Sequence, residues 1–194
     1  RGATVVRPLV GAQNDGHGDG VVIAGPTDQH GFAIGIGVNP WFGLIDPQRM
    51  AEAVVDEAMR NVVAVGDDPA QVALLDNFSW GDPTRPSTLG ELVAAVDGCT
   101  LAARAFGAPF VSGKDSLNNE FHGSDGKRHA VPPTLVITAI AHVPDVALTI
   151  TADLKSAGNI LMLVGTTDNE FGGSHLAMIH NALNSGVVPR FDPR

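Results

Sequence analysis

The chain of 194 residues has one cysteine, no tyrosine and few aromatic residues. The single cysteine, Cys99, excludes an internal disulfide and a cysteine-rich zinc site, and it predicts a reducing, cytoplasmic location. An aromatic share of 5% offers little surface on which nucleic-acid bases stack. The chain is also poor in basic residues, and its net charge of −9 argues against binding to a nucleic-acid backbone.

Long hydrophobic runs are absent from the sequence as well. The longest apolar runs, such as residues 160–164, fall far short of the ~20 residues that a membrane-spanning helix needs. No basic and apolar leader pattern opens the sequence, so no secretory signal is expected. We therefore expect neither a membrane nor nucleic acid as a partner. Because the sequence starts at Arg1 without a methionine and stops abruptly, we expect a piece of a longer protein.

The residues that are present predict a layered fold. A hydrophobic share of 44% is enough to build a core. Two amphipathic segments, residues 47–65 and 89–106, predict helices. Short apolar runs predict strands at 21–24, 32–38, 71–75, 109–111 and 134–143. Helices of this length between buried strands indicate an α/β or α+β architecture.

Local signals set the expected ends of the two helices. Asp46 is a natural N-cap for the first helix, with Pro47 at the first helical position. Thr88 and Glu91 have capping-box spacing at the start of the second helix, and Gly107 is expected to end it. Glycines within residues 32–38 predict either a bend or a close backbone approach at that strand.

A break near residues 144–145 divides the chain. We expect residues 1–144 to form one α/β domain and residues 145–194 to begin a second, with a strand at 160–164 and a helix at 174–183. Some ~50 residues are too few to bury a core of their own. The second domain is therefore expected to be incomplete.

Glu57 and Asn61 stand four residues apart on the first helix, so their side chains share one face. A carboxylate and an amide oxygen are suitable Mg²⁺ ligands. The same spacing also fits a hydrogen-bonded pair at the edge of the core. Asp19 lies in a glycine-rich loop that admits a phosphate or forms an ordinary turn.

Polar residues follow two of the predicted strands. Asp76 lies at the C-terminal end of one strand, where α/β folds usually place ligand contacts. Alternatively, Asp76 only caps a turn. Residues 112–116 read Ser-Gly-Lys-Asp-Ser, which fails as a P-loop because Asp115 stands where Ser or Thr is required. They predict either a turn that presents N–H groups and an ammonium group to phosphate, or a plain hairpin turn. Residues 172–174 are similarly an anion-binding helix start or an N-cap.

Three motifs of the sequence together resemble those of the phosphoribosylformylglycinamidine synthase family, whose members are ligases of purine biosynthesis. They lie at residues 55–61, 75–81 and 111–120, and residues 5–11 and 171–174 also have the family's form. Several independent motifs occur in the family's order and cover nearly the whole chain. The resemblance is therefore specific.

The resemblance implies the fold of the aminoimidazole-ribonucleotide-synthetase group. In that fold an N-terminal α/β domain pairs with a second copy to make a β-barrel, and an α/β C-terminal domain follows. The synthase carries two fused copies, and this chain is similar to most of the second one. The family's catalytic histidine lies in the first copy and has no counterpart here.

The resemblance also implies roles for individual residues. Asp19, Glu57 and Asn61 match positions that hold Mg²⁺ in the large form of the enzyme. Asp76 and Gly113 match nucleotide-contacting positions of the small form. We thus expect Mg²⁺ and ATP, or ADP, as cofactors.

Two further positions extend the expected nucleotide site. Ser116 matches a position that contacts substrate, whereas Lys114 departs from the asparagine of the small form. Because an ammonium group cannot ligate Mg²⁺, we expect Lys114 to meet phosphate directly.

The reaction implied by the resemblance converts formylglycinamide ribonucleotide to formylglycinamidine ribonucleotide. ATP phosphorylates the amide oxygen, and ammonia from a glutaminase domain or subunit displaces the phosphate. The other expected partner is the missing first copy or a homodimer mate, and the segment alone is expected to be inactive. Alternatively, the segment holds a structural nucleotide, forms only half of a barrel interface, or belongs to a sister synthetase or kinase.

Overall fold

The computed structural model describes residues 2–26 and 29–192, so the outer ends of the two expected domains lie outside the described residues. Helices α1 to α4 are Pro40–Gly43, Pro47–Ala64, Pro86–Phe106 and His175–Ile179. Strands β1 to β5 are Thr4–Val6, Leu9–Val10, Gly16–His17, Gly20–Ala24 and Gly31–Val38. Strands β6 to β10 are Val72–Ser79, Phe110–Ser116, Glu120–His122, Arg128–Ala130 and Thr134–Val143. The α/β prediction is confirmed.

A six-stranded sheet organises the described chain, in the order β1-β4-β5-β10-β6-β7. Only β6 and β7 run parallel, and the other neighbours are antiparallel. The last strand, β10, lies between β5 and β6, so that Ile137 is level with Gly37 on one side and Asp76 on the other. Residues far apart in the sequence thereby become neighbours.

Helices α2 and α3 pack on one face of this sheet. Side chains of the central strands alternate, so Ala33, Leu74 and Ile137 are fully buried beneath the helices. The other face has no covering layer among the described residues, and Phe32 and Ile36 are about half exposed there, at 53% and 50%.

Glycines in β5 allow α2 to lie directly on the strand. A Cβ atom at Gly37 would overlap the Val54 carbonyl oxygen, and one at Gly35 would come within 2.5 Å of the Ala58 carbonyl oxygen. The predicted close backbone approach is therefore confirmed, and it brings one face of α2 within hydrogen-bond reach of β5.

The helix ends follow the predicted signals only in part. Asp46 caps α2 by accepting a hydrogen bond from the Arg49 N–H at 3.0 Å, and Gly107 ends α3 with φ +67°. The capping box at Thr88 is wrong, because α3 begins earlier, at Pro86. The fixed φ of a proline suits the first helical position and starts the helix without a side-chain cap.

Beyond β10 the described chain has little regular structure. The strand predicted at residues 160–164 does not form, and its side chains are 78–90% exposed. The predicted helix at 174–183 shortens to α4. The last described segment packs back on α2 and α3: Arg49 donates to the Val188 carbonyl oxygen, Val188 is buried, and Phe191 contacts Phe106. No helix in the described part of the chain has the length and apolarity to cross a membrane.

Candidate functional site

One cleft contains all three residues expected to bind magnesium. Asp19, Glu57 and Asn61 line a cavity of about 750 Å³ between α2, the start of β4 and the C-terminal segment. Residues 165–166 and 189–192 also line it. The loop, the helix and the segment beyond β10 thus converge on the same space.

Glu57 and Asn61 are both anchored to the backbone of β5. The Val38 N–H donates to Glu57 Oε2, and Asn61 Nδ2 donates to the Ile36 carbonyl oxygen, each at 2.8 Å. These bonds make the two residues a hydrogen-bonded pair at the core edge. Each bond uses only one of the two polar atoms of its side chain. The other atoms, Glu57 Oε1 and Asn61 Oδ1, accept no hydrogen bond from the described residues.

Burial raises the pKa of Glu57 above its ordinary value of 4.5. The Val38 N–H and the charge of Arg60 oppose this effect, whereas the neighbouring Asp56 adds to it. A bound cation would lower the cost of the buried negative charge. The electrostatics of the cleft therefore favour a cation beside Glu57.

The described residues contain no group of three or more His, Cys, Asp and Glu side chains placed to hold a metal ion. A cation beside Glu57 would need the Asn61 amide oxygen together with water or phosphate oxygens. That ligand set is typical of Mg²⁺, which keeps several waters and binds substrate phosphates.

Asp76 and Gly113 lie in a second cleft, of about 400 Å³, on the helix side of the sheet. They are register partners on β6 and β7, and a Cβ atom at Gly113 would overlap the Asp76 carboxylate. Burial raises the pKa of Asp76, and the nearby carboxylate of Asp115 raises it further. The absence of a side chain at Gly113 thus makes room for Asp76.

Lys114 and Ser116 point away from this second cleft. The sequence predicts a turn here, but β7 continues through Ser116, so alternate side chains leave on opposite faces. Lys114 and Ser116 are level with Asn77 and Ser79 on the uncovered face, where Lys114 Nζ donates to Ser116 Oγ. The structure therefore separates the four residues expected to bind nucleotide into two pairs.

Sequence reasoning missed an ion-pair cluster beside these strands. The Glu120 side chain, only 2% exposed, pairs with Arg85 and with Arg128, whose Nε lies 3.1 Å from Glu120 Oε2. Glu120 Oε1 also accepts a hydrogen bond from the Asp82 N–H at 2.8 Å. The cluster ties the loop before α3 to the β8–β9 hairpin. In the sequence, the only signal for this cluster was that Glu120 ends the family-like motif at residues 111–120.

The polar motif at residues 172–174 has a structural role. Ser174 caps α4 by accepting a hydrogen bond from the Ala177 N–H at 3.2 Å. Of the two alternatives for residues 172–174, the structure supports the N-cap.

The model of the family described as "AIR synthase related protein, N-terminal domain" matches residues 9–143. The chain belongs to this family. Its uncovered sheet and its α2–α3 layer are the structural core of that matched region.

Relatives within the AIR synthase related family carry a more specific name. The chain is 36% identical, over 188 residues, to "Phosphoribosylformylglycinamidine synthase subunit PurL" of Anaeromyxobacter sp. (strain Fw109-5). The match covers 95% of this chain and 24% of that relative. This similarity confirms the resemblance seen in the sequence.

Solved structures of T. maritima PurL share the fold. The form complexed with ATP matches with a TM-score of 0.57 and 26% identity. The form complexed with FGAR matches with a TM-score of 0.57 and 25% identity. Each match covers 73% of this chain and 21% of the PurL chain. The chain thus spans about a quarter of the length of the relatives that it matches.

Proposed function

We propose that this chain is part of an ATP-dependent phosphoribosylformylglycinamidine synthase and that its α2 cleft binds a magnesium–nucleotide complex. The observation that carries the proposal is the convergence of Asp19, Glu57 and Asn61 on one cleft. The names of the relatives and the ATP complex of T. maritima PurL support the same function.

The residues of the α2 cleft fit a magnesium ion. Glu57 Oε1 and Asn61 Oδ1 are hard oxygen donors left uncommitted within the described chain, and the exposed Asp19 adds a third. When bound, the ion would neutralise charge on the phosphates. The chain's own part is to hold two side chains at a fixed angle, because each is bonded to the backbone of β5.

We propose the second cleft, at Asp76 and Gly113, as a further nucleotide contact. The partly buried Asp76 carboxylate is a suitable acceptor for ribose or base donor groups. On the opposite face, Lys114 and Ser116 are placed to hold an anionic substrate such as formylglycinamide ribonucleotide. The FGAR complex of T. maritima PurL supports this substrate.

The uncovered sheet face favours a role at a barrel interface as well. Phe32, Ile36 and Val38 are 42–53% exposed on it, which is costly for a large apolar surface in water. We propose that a second synthetase copy, fused or separate, covers this face. A glutaminase partner that supplies ammonia, the inactivity of the isolated chain and a cytoplasmic location remain predictions.

Calorimetry with Mg-ADP tests the two clefts. Mg-ADP is titrated into four proteins: the wild-type chain, Glu57→Ala, Asp76→Ala and Asp97→Ala. Asp97, on α3, is the exposed control. We expect Glu57→Ala to weaken binding about tenfold, the loss typical of a charged hydrogen-bonding ligand, and Asp97→Ala to leave it unchanged. Equal affinity of all four proteins would contradict the proposal. A loss in Asp76→Ala alone would move the nucleotide to the second cleft.

A further inference from the structure

The C-terminal segment forms one wall of the α2 cleft, although the sequence assigns it no role. Its backbone is fixed on both sides of Arg190. Arg49 Nη1 donates to the Val188 carbonyl oxygen at 2.8 Å, and the side chain of Val188 is buried. On the other side, the ring of Phe191 lies 5.5 Å from that of Phe106. Arg190 itself is held by its N–H, which donates to Glu170 Oε2 at 2.9 Å.

The charges lining the cleft single out Arg190. Among the described residues that line it, Arg60 and Arg190 are cationic, and the acidic residues are Asp19, Asp56, Glu57 and Asp192. The guanidinium of Arg60 is already engaged, with Nη2 at 2.6 Å from Asp56 Oδ2. The exposed guanidinium of Arg190 forms no ion pair with the described residues. A fixed backbone therefore carries an available cation in the lining of the cleft that Glu57 and Asn61 also line, next to a second cavity of about 460 Å³ that Arg190 lines as well.

We infer that Arg190 contacts the phosphate groups of the nucleotide in this cleft, an inference that rests on the proposed function. Acidic side chains on α2 attract a metal ion but repel bare phosphate, so a cation in the same cleft supplies the missing attraction. A guanidinium also presents paired N–H donors that match phosphate oxygens. The nucleotide would thus lie between α2 and the C-terminal segment, with its metal toward α2 and its phosphates toward Arg190.

Titration of Mg-ADP into the full chain tests this contact. Arg190→Ala should weaken binding about tenfold, and Arg190→Lys should recover part of the loss, since lysine keeps the charge without the paired donors. Arg104→Ala, an exposed arginine near the end of α3, is the matched control and should bind as the wild type does. Mn²⁺ alone, measured by electron paramagnetic resonance, should bind Arg190→Ala unchanged, because Arg190 contacts phosphate and not the metal.

Wild-type affinity of Arg190→Ala for Mg-ADP would overturn the inference, and so would an equal loss of Mn²⁺ binding. Glu57→Ala separates this failure from failure of the proposed site. If Glu57→Ala weakens Mg-ADP and Arg190→Ala does not, the cleft stands and Arg190 has no part in it. If neither variant weakens binding, the cleft itself is not the nucleotide site. Because the Arg190 side chain is exposed, thermal unfolding followed by circular dichroism should be unchanged in the variant.

Discussion

At the scale of single residues, Gly37 determines how closely α2 lies on β5. Gly37→Ala places a methyl group against the Val54 carbonyl oxygen, so either the helix or the strand must shift. We expect a loss of about 1–3 kcal/mol in the free energy of unfolding, as for other overpacked cores. Urea denaturation measures it.

Gly90→Ala is the matched control for this substitution. Gly90 lies within α3, and a methyl group added there would have no atom within 4 Å, so alanine adds helix propensity without a clash. Stability should rise by up to about 1 kcal/mol. A similar effect of both substitutions would show that the close approach at Gly37 is not under steric control.

Glu57 should make stability depend on pH. Its folded-state pKa is raised, chiefly by burial, so the folded state binds the proton more tightly than the unfolded state. The free energy of unfolding therefore falls as the pH rises above the ordinary value of 4.5. Glu57→Gln removes this penalty while keeping an acceptor for the Val38 N–H.

Urea midpoints of the wild type and Glu57→Gln at pH 4.5 and pH 8 test this linkage. The variant should gain most at the higher pH, and Asp97→Asn, at an exposed site on α3, should show no such trend. A constant difference between wild type and Glu57→Gln would contradict the raised pKa. Added Mg²⁺ at pH 8 should narrow the difference, because an ion beside Glu57 compensates the same charge.

Sequence alone predicted Glu57, Asn61 and Asp19 as candidate magnesium ligands, because their spacing and their match to a family are local properties, and the structure places all three in one cleft. It did not show that Glu57 and Asn61 bond to the backbone of β5, since that depends on a strand 19 to 25 residues away in the chain. Arg190 gave no signal, because the contact inferred for it depends on where the C-terminal segment packs.

At the scale of secondary-structure elements, strand alternation decides which residues act together. The phrase at residues 112–116 was predicted as one turn, but in β7 its members face opposite sides of the sheet. A polar strand at a sheet edge has few apolar residues to reveal its periodicity. Its polar composition therefore favoured a loop until the register with β6 was known.

The ion-pair cluster at Glu120 adds to the backbone hydrogen bonds that attach the start of the β8–β9 hairpin to residues 80–81. Glu120→Ala removes the shared partner of Arg85 and Arg128 and leaves the Asp82 N–H without its acceptor. We expect faster hydrogen–deuterium exchange across residues 120–130, with no change in α2. Asp125→Ala, which removes an exposed pair with His129 and the acceptor of the Lys127 N–H but leaves the cluster intact, should have a smaller effect. Equal exchange in both variants would show that the cluster does not hold the hairpin.

At the scale of the whole molecule, the uncovered apolar face predicts self-association. Light scattering should show dimers or larger species of the isolated chain, and Phe32→Ser with Ile36→Ser should shift it toward monomer. Both side chains are about half exposed, so the substitutions should cost little stability. Val63→Ser, on the exposed side of α2, is the control. A monomeric wild type would contradict the prediction.

The layered architecture was predictable because apolar periodicity is local, whereas the strand order was not. Nothing in residues 134–143 specifies insertion between β5 and β6, since that position results from pairing on both sides. The strand expected at residues 160–164 failed for a related reason. A strand needs a neighbour, and the described chain provides none there.

The central place of β10 has a consequence during synthesis on the ribosome. Until residue 143 has left the exit tunnel, β5 and β6 have no shared neighbour, and the nascent chain holds two unjoined half-sheets. Long-range pairing of this kind is slow, and until it is complete the unpaired strand edges are prone to aggregation. A chain released before that point should be a substrate for chaperones and proteases, so premature termination in this region would leave no folded product.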